Sequence, residues 1–565
     1  MTPDDKIRHF LRLWLLVLVL HIGQCVKVKV AVYEHVVISH PKANESLTRE
    51  EAFEFMKKNL NIIETRAVEA SKQGAKIVIF PEYGIAGFDH TRNSISPFLE
   101  DIPDGSLSWN PCEEPDRFKD TQVLKVLSCR AKTSSIYIIA NMGDIKPCSK
   151  VTDPSCPRDG RYQFNTNVVF DDKGRLIARY HKRNMYDETP LFDPAPKTEF
   201  VFFDTDFGRF GTVVCFDLLH ENPTQTLIEQ NGIRNLLVTS AWNVFYPFIL
   251  PVQMYAGISK RNNITIAVSN ARNSEYTMAG SGIFGNGVDA STSMDYKNSE
   301  GQLLVGEIDT FDTRATTVKP EDPSLQGIGG IAPNDFAQYV NSSIIGRHYL
   351  FGMNLSFVML TGEKGRVYTC YEKVCCAVQY DFNVKVGEEL FVLSATDFNM
   401  HKPGEIHMQF CAIHRCATNE PASCGDPVNS TSSTFSYVKI QGFFDPGVVF
   451  PFVSTSSVAN YHTMELDKYK FSRSKAIIES DAFDKPMLAI VVFNSVPAES
   501  GKSNSDASNK AKHSLPSKSL HWICIAFVFL FSCDTFAWRL SLCIKQMFRY
   551  ICYITTHFAL SYTYI

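Results

Sequence analysis

The sequence predicts an α/β domain built on a mixed sheet, followed by a smaller all-β domain that disulfides brace. Apolar runs of strand length alternate with helical patterns from residue 26 to about 310, which indicates α/β layers. An Asp172-Lys173-Gly174 turn joins two of these runs as a hairpin, so the sheet is mixed rather than purely parallel. From about residue 345 the pattern becomes strand alternation without strong helices. We therefore place the two domains at 26–320 and 321–496.

The first domain begins with a strand and a helix whose ends the sequence marks. Residues 26–38 alternate as a strand does. Thr48 and Glu51 form a capping box, and apolar residues then recur at helical spacing until Gly74 ends the helix. A further helix is predicted to open at Pro223 and to close at Asn231-Gly232. The remaining strands are predicted at 75–80, 134–141, 165–182 (as the hairpin), 208–217, 235–242 and 264–270.

Composition places the chain among soluble globular proteins. Of its 565 residues, 44% are apolar and 21% are charged, which excludes disorder, collagen and coiled coil as the main body. The 56 basic and 60 acidic residues give a formal net charge of −4, a near-neutral balance that argues against an electrostatic binder of nucleic acid. We therefore expect no nucleic-acid partner, and the oligomeric state stays open.

Both termini carry targeting signals. Residues 1–25 are typical of a secretory signal peptide, with a basic start, an apolar core at 13–20 and small residues before Cys25. This apolar core is too short to cross a membrane, which takes about 20 residues. Residues 497–519 predict a polar linker, and 520–565 form an apolar tail that is either a GPI signal or a transmembrane segment. We expect an extracellular protein tethered to the cell surface.

The sequons and the cysteines both suit a secretory route. Of the 16 cysteines, one leaves with the signal, four lie in the tail and eleven lie in the body. Ten of those eleven fall into two clusters without metal-ligand spacing, so we expect up to five disulfides, of open connectivity, and no metal site. Cys215 stands alone, and an odd cysteine in an oxidising compartment is either intermolecular or a reactive thiol. Glycosylation is predicted at five Asn-x-Ser/Thr sequons: Asn44, Asn263, Asn341, Asn354 and Asn429.

Three reactive side chains follow predicted strands. Glu82 comes just after a buried strand, Lys182 ends the hairpin, and Cys215 ends a third strand. In layered α/β folds such strand ends meet at the rim of one crevice. Singly, each residue has an ordinary explanation. Glu82 could be a solvated turn residue, Lys182 a surface charge, and Cys215 a small buried apolar residue. Together they make a covalent mechanism, since Glu82 can take the thiol proton while Lys182 and the Phe216 backbone N–H hold an oxyanion.

These residues resemble the Glu-Lys-Cys triad of the nitrilase superfamily, with Glu82 in FPEYG, Lys182 in YHKRN and Cys215 in CFDLLHENP. The chain is most similar to the vanin (pantetheinase) and biotinidase branch, over roughly 26–495. The likeness runs through SCRAKTSSIYIIANMGDIKPC, DPSCPRDGRYQFNTNVVFD, GRFGTVVCFD, the SAW of 240–242 and VCCAVQY. The resemblance implies an α/β/β/α sandwich followed by a β-rich domain.

The resemblance also implies an activity, the hydrolysis of a linear carboxamide C–N bond. Cys215 would be the nucleophile, Glu82 the general base and Lys182 the oxyanion stabiliser, with Glu188 as the nearest candidate for a second glutamate that often follows the lysine. No cofactor is needed. The implied substrate is a small amide, pantetheine, which would give pantothenate and cysteamine. The alternatives are a biotinidase-like hydrolase of biocytin and a silent adhesion or signalling ectodomain, and the intact triad argues against the second of these.

Neighbouring residues depart from the family or have competing explanations. Tyr83 stands where vertebrate members carry an acidic residue, and the segment 243–250 also differs, so both are expected to shape the substrate pocket. Trp242 is expected to line this pocket, with core packing as the alternative. Asp217 is expected to orient local backbone, and His220 to be a loop or helix-cap residue, rather than to catalyse.

Overall fold

The computed structural model describes residues 26–188, 191–245, 248–285, 288–293, 300–310, 339–347, 353–399, 407–428, 430–456, 461–463, 468–481, 483 and 485–497. The signal peptide of 1–25, nearly all of the linker and the tail of 520–565 lie outside these ranges. The domain boundary placed between 320 and 321 and the sequon at Asn429 also lie outside them. These expectations stay predictions.

The first domain alternates strands with helices in the described ranges. Its helices are α1 Arg49–Lys72, α2 Gln122–Ser134, α3 Thr226–Glu229 and α4 Pro251–Asn262. Its strands are β1 Val26–Val36, β2 Ile77–Ile79, β3 Tyr137–Pro147, β4 Arg161–Phe170, β5 Leu176–His181, β6 Phe202–Thr205, β7 Gly208–Val214, β8 Asn235–Ser240, β9 Thr265–Arg272, β10 Ser281–Gly285, β11 Val288–Ser293 and β12 Gln302–Thr310.

These strands form two half-sheets, ordered β12-β1-β2-β3-β4-β5 and β11-β10-β9-β8-β7-β6. The halves join where the end of β1 pairs with the end of β9, at His35 with Ala271 and Val36 with Arg272. Strands β1, β2 and β3 are parallel, and β5 regains their direction through the antiparallel β4. Strands β7, β8 and β9 are also parallel. The carboxyl ends of β2, β5, β7 and β8 therefore lie at the same edge of the sandwich.

The side chains of β1 alternate between two layers of core, as the period of a strand requires. Val28, Val30 and Val32 belong to the apolar layer between the two half-sheets. Ala31 and Tyr33 face outward and pack with the apolar residues of α1 and α2. Helix α4 covers the outer face of the other half. The order helix, sheet, sheet, helix confirms the predicted α/β/β/α sandwich.

Both predicted helices are found, the second of them shortened, and helices α2 and α4 were not predicted. The first helix has its capping box, with the Glu51 amide donating to Thr48 Oγ1 at 3.2 Å and the Thr48 amide to Glu51 Oε2 at 2.9 Å. The helix expected from Pro223 is shorter, since regular α geometry covers only Thr226–Glu229. Asn222 before it is extended (φ −110°, ψ 126°), as a residue preceding proline prefers to be. In helix α4 every residue except Lys260 and Arg261 is buried, so it presents little solvent-facing surface.

The second domain is all β in the described ranges, which confirms the predicted class. Its strands are β13 Ile344–Arg347, β14 Asn354–Met359, β15 Lys364–Tyr371, β16 Val374–Val384, β17 Phe391–Asn399, β18 His407–Arg415, β19 Thr434–Phe443, β20 Val448–Ser456, β21 Tyr461–Thr463, β22 Lys470–Ser472, β23 Ile477–Ser480 and β24 Met487–Val496. They form two antiparallel sheets, ordered β13-β14-β17-β18-β24-β20-β21 and β15-β16-β19-β23-β22. An apolar core that includes Val378, Phe410 and Phe493 fills this domain.

The ten clustered cysteines form five disulfides, which confirms the predicted bracing and supplies the connectivity. The pairs are Cys112–Cys129, Cys148–Cys156, Cys370–Cys375, Cys376–Cys411 and Cys416–Cys424. Cys376–Cys411 joins β16 to β18 and so ties the two sheets of the second domain together. Among the described residues, Cys215 is the one cysteine outside a disulfide.

The second domain packs directly on the first through α4 and β20. A Cβ added at Gly257 would lie 1.9 Å from the Pro451 carbonyl oxygen, so the helix and the strand approach closely enough to require glycine there. Arg261 at the end of α4 donates from Nε to the Val449 carbonyl at 2.8 Å. The apolar core is continuous across this junction.

Two surface expectations can be compared with the described residues. The sequon asparagines Asn44, Asn263, Asn341 and Asn354 are all exposed, as glycosylation sites must be. Within the described ranges, every helix is too short or too polar to cross a membrane.

Candidate active site

The sheet topology brings the three predicted reactive side chains together. Lys182 directly follows β5, Cys215 directly follows β7, and Glu82 comes three residues after β2. Since these strands end at the same edge, the side chains meet. Lys182 Nζ lies 2.8 Å from Glu82 Oε1, and both side chains are almost fully buried, with 1% exposure each. The Cys215 thiol interacts with both groups.

Cys215 sits at a sharp turn between β7 and a 3₁₀ turn, Cys215–Leu219. Its φ is +46°, the left-handed region that a non-glycine residue rarely occupies. Such a strained turn at a strand end presents a side chain at the sheet edge, as in the nucleophile turns of α/β-hydrolases. The side chain is nonetheless buried, with 6% exposure.

Asp217 holds this turn in place. Its Oδ2 accepts from the Tyr180 hydroxyl at 2.6 Å, and its Oδ1 accepts from the backbone N–H of Asn184 at 2.9 Å. Tyr180 is on β5 and Asn184 follows Lys182, so one carboxylate ties the Cys215 turn to the segment that carries the lysine. This agrees with the expected role of Asp217 in orienting backbone.

Lys182 is held between two carboxylates. Besides its contact with Glu82, its Nζ donates to Glu188 Oε1. The other oxygen of Glu188 accepts from the backbone N–H groups of Tyr186 and Asp187, at 2.9 and 3.1 Å. These bonds to backbone fix Glu188 beside the lysine. The structure thus places this glutamate with the other three groups.

Burial and mutual charge set the proton affinities of these groups. Burial raises the pKa of the Cys215 thiol and the charge of Glu82 raises it further, against the opposing effect of Lys182. Burial raises the pKa of Glu82, with Lys182 acting in the opposite direction. Burial acts to lower the pKa of Lys182, but Glu188 and Glu82 outweigh it, so this pKa lies well above its ordinary value. At neutral pH the thiol and the ammonium are therefore protonated, next to a carboxyl group of increased proton affinity.

A series of buried asparagines supports Glu82. Asn165 on β4 donates from Nδ2 to Glu82 Oε1 at 2.7 Å, and its Oδ1 accepts from Asn141 Nδ2 at 2.6 Å. Asn141 also donates to Asn167 Oδ1 at 3.2 Å. Asn167 crosses the sandwich and donates to the Val213 carbonyl of β7 at 3.1 Å. Sequence reasoning missed these residues, although polar side chains at alternate positions of an otherwise apolar strand were a signal for them.

Aromatic rings form one wall beside Cys215. The ring of Phe216 lies 5.3 Å from that of Tyr186, 5.9 Å from that of Trp242 and 5.0 Å from that of His220. Phe216 is buried and follows Cys215 directly, so its backbone N–H is at the turn where it was expected. His220 stands in the N-cap position of the next turn but caps nothing with its side chain, which packs on Phe216 instead.

The two regions that depart from the family lie in different surroundings. Tyr83 follows Glu82 in a left-handed conformation (φ +58°), and its ring packs on those of Phe88 and Phe192, at 5.3 and 6.2 Å. In the described part of 243–250, Phe248 packs on Phe410 of the second domain at 4.7 Å between ring centroids. This segment therefore connects Trp242 to the second domain.

Comparisons with known proteins cover both domains. The carbon-nitrogen hydrolase family model matches residues 54–269, and the model of the vanin C-terminal domain matches 348–494. The chain is 34% identical to a pantetheinase of Bos taurus over 82% of this chain and 88% of that protein. It is 37% identical to a biotinidase of Takifugu rubripes over 76% of this chain and 86% of that protein. With the pantetheinase of Homo sapiens it shares 32% identity, over 84% and 90% of the two chains.

Proposed function

Since this chain belongs to the vanin and biotinidase branch of the nitrilase (carbon-nitrogen hydrolase) superfamily, and is thus an amidohydrolase, we propose that it cleaves pantetheine through a thioester on Cys215. The observation that carries this proposal is a buried ammonium held between two carboxylates beside the free thiol. Such an arrangement supplies the base, the cation and the nucleophile of acyl transfer in one water-poor site.

Acylation begins with proton transfer, because the raised pKa of the thiol leaves it protonated at rest. Glu82 takes the thiol proton as sulfur attacks the amide carbonyl. The oxyanion that forms is held by the Lys182 ammonium and by the Phe216 backbone N–H. Glu82 then gives its proton to the leaving nitrogen, the C–N bond breaks, and the amine departs from a Cys215 thioester.

Deacylation uses the same groups, with water in place of the thiol as the nucleophile. Glu82 takes a proton from a water molecule, the hydroxide adds to the thioester carbonyl, and Lys182 again holds the oxyanion. The C–S bond breaks, the acid leaves, and the proton returns to the sulfur. Glu188 contributes by keeping Lys182 charged while Glu82 changes its protonation state, since a second carboxylate remains in contact with the ammonium.

The substrate is proposed from the relatives. Several of the similar proteins are named pantetheinase, so pantetheine is the first substrate to test. The identity of 37% with a fish biotinidase favours biocytin as the second candidate. The deciding measurement compares kcat/KM for pantetheine, biocytin and a simple aliphatic amide on the same preparation. Faster cleavage of biocytin would reverse the assignment of substrate.

The proposed roles are tested with matched variants of the full chain. Cys215→Ala and Lys182→Met should each abolish release of cysteamine from pantetheine. Lys173→Met is the control, because Lys173 is an exposed lysine of the β4–β5 turn and should leave the rate unchanged. If Cys215→Ala folds and retains hydrolysis, the thioester mechanism is wrong. If the unmodified chain cleaves no amide, a binding role for the ectodomain gains support.

The disulfides support an extracellular or cell-surface location, because disulfides form and persist in oxidising compartments. We extend this to a signal peptide at 1–25 and a surface tether formed from 520–565. Release of activity from cells by a phospholipase that cleaves GPI anchors would support the GPI form. Retention after this treatment, with release by detergent alone, would support a transmembrane segment.

A further inference from the structure

Two buried polar atoms in the aromatic wall have no partner. Trp242 Nε1 and His220 Nε2 are both shielded from solvent, and neither has a hydrogen-bond partner in the part of the chain that the structure describes. Both rings pack on Phe216, which follows Cys215 directly. A buried polar group without a partner destabilises a folded protein, so such a group calls for an explanation.

Trp242 is held in place by its backbone rather than by its indole nitrogen. The buried Asn270 accepts from the Trp242 N–H at 2.6 Å and donates to the Trp242 carbonyl at 3.0 Å. The same amide also donates to the Ala279 carbonyl at 2.9 Å. With both backbone groups bonded to one fixed side chain, the position of the indole does not depend on the indole N–H. That donor is therefore free to serve a ligand.

Trp242 follows the residues that contact the thiol. The Cys215 thiol interacts with the Ser240 hydroxyl and with the backbone of Ala241. Trp242 is the next residue, and its ring packs on that of Phe216, the residue after Cys215. The leaving nitrogen must lie beside Glu82, which protonates it in the proposed mechanism. The acyl portion of the substrate is then left to the side of Phe216 and Trp242.

The chemistry of the two atoms defines what they can bind. An indole N–H is a donor only, so its partner must be an acceptor such as a carbonyl or hydroxyl oxygen. Burial and the charge of Lys182 lower the pKa of His220 to about 3, so its ring is neutral and does not add a second cation. A neutral imidazole nitrogen can donate to or accept from the same kind of group. Each of the two atoms therefore suits an uncharged polar group.

We infer that Trp242 Nε1 and His220 Nε2 bind oxygens carried by the acyl chain of the substrate and so select for acyl groups that have them. This inference rests on the proposed function. It predicts a preference for polar acyl chains, because a site that leaves buried donors unpaired rejects the substrate that lacks their partner.

The experiment measures selectivity rather than activity. The two probes are pantetheine and the cysteamine amide of a straight-chain fatty acid of equal length, which has no acyl oxygen beyond the scissile carbonyl. Trp242→Phe should lower the ratio of their kcat/KM values about tenfold, through slower cleavage of pantetheine. His220→Leu should lower the ratio in the same direction.

Trp109→Phe is the matched control. Trp109 is also buried, but its Nε1 donates to the Glu114 carbonyl at 2.9 Å, within the core around α2. This variant should lose thermal stability and keep the ratio, whereas Trp242→Phe gives up no hydrogen bond of the free protein and should change the ratio.

The outcomes separate the inference from the function on which it rests. If the unmodified chain cleaves neither probe, the proposed function is wrong. If it cleaves pantetheine and the ratio stays within twofold in a folded Trp242→Phe, the inference alone is wrong. If Trp242→Phe does not fold, His220→Leu decides, and an unchanged ratio there overturns the inference.

Discussion

Replacing Asn165 by alanine should slow amide hydrolysis without unfolding the protein. The side chain of Asn165 donates to Glu82 at 2.7 Å, and both residues are at most 1% exposed, so this hydrogen bond is shielded from bulk solvent. The variant leaves the Glu82 carboxylate in contact with Lys182 and with the Cys215 thiol. The carboxylate would then be less firmly placed toward the thiol.

The magnitude follows from the kind of bond that is lost. A hydrogen bond to a charged group contributes about 1.5–3 kcal/mol. Each ~1.4 kcal/mol corresponds to a tenfold change in rate, so kcat/KM should fall roughly 10- to 150-fold. The bond also stabilises the ionised form of Glu82, so its loss raises the pKa of Glu82 and moves the acid limb of the pH–rate profile to higher pH.

The assay is the pH dependence of kcat/KM for pantetheine, measured with thermal unfolding of each variant. Asn235→Ala is the control, because Asn235 is also buried and donates to the Arg209 carbonyl at 2.9 Å, but it begins β8 at the end opposite to the active site. It should lower the melting temperature and leave the acid limb in place. A folded Asn165→Ala with an unchanged rate and profile would refute the support assigned to Asn165.

Three further predictions concern the turn, the lysine and its neighbour. Cys215→Gly should melt at a higher temperature than Cys215→Ala, because a φ of +46° costs a non-glycine residue about 1–2 kcal/mol. Equal melting temperatures of the two variants would contradict strain in the turn. Lys182→Met should lose roughly 3–5 kcal/mol of unfolding free energy at pH 7, since two buried carboxylates lose their cation. Urea titrations at lower pH should show part of this stability restored, because the carboxylates are then protonated. A loss that is independent of pH would contradict this account. Burial acts to lower the pKa of His181, but hydrogen bonds to two carboxylates outweigh it and raise that pKa. The stability that His181 contributes should be complete below about pH 6.5 and be lost as the pH rises through the raised pKa of the folded state. His181→Gln should remove this pH dependence from unfolding curves measured between pH 5 and 9.

Local patterns were sufficient where one element determines its own conformation. The capping box of Thr48 and Glu51 involves neighbours in sequence, and it predicted the start of α1 correctly. The apolar runs likewise predicted most strands of the first domain. Helix α2 was missed although its buried residues recur at helical spacing, and helix α4 was missed because nearly all of its residues are buried, which leaves no broad solvent-facing stripe.

The cysteines show the same division. Their number and clustering predicted up to five disulfides and one remaining thiol in the body. The pairing depends on which strands are adjacent: Cys376 and Cys411 are separated by 35 residues and meet because β16 and β18 belong to facing sheets. Sequence spacing contains no information about that adjacency.

The sequence by itself determined the residue types of the site, the strand ends that carry them and the family to which they belong. The tertiary structure decided how those residues are supported: Asn165 beside Glu82, Asp217 between the turn and the lysine segment, and the indole of Trp242 left without a partner. The physical reason is that a hydrogen bond depends on distances of about 3 Å between side chains far apart in the chain. Only the packing of the two half-sheets brings such side chains that close.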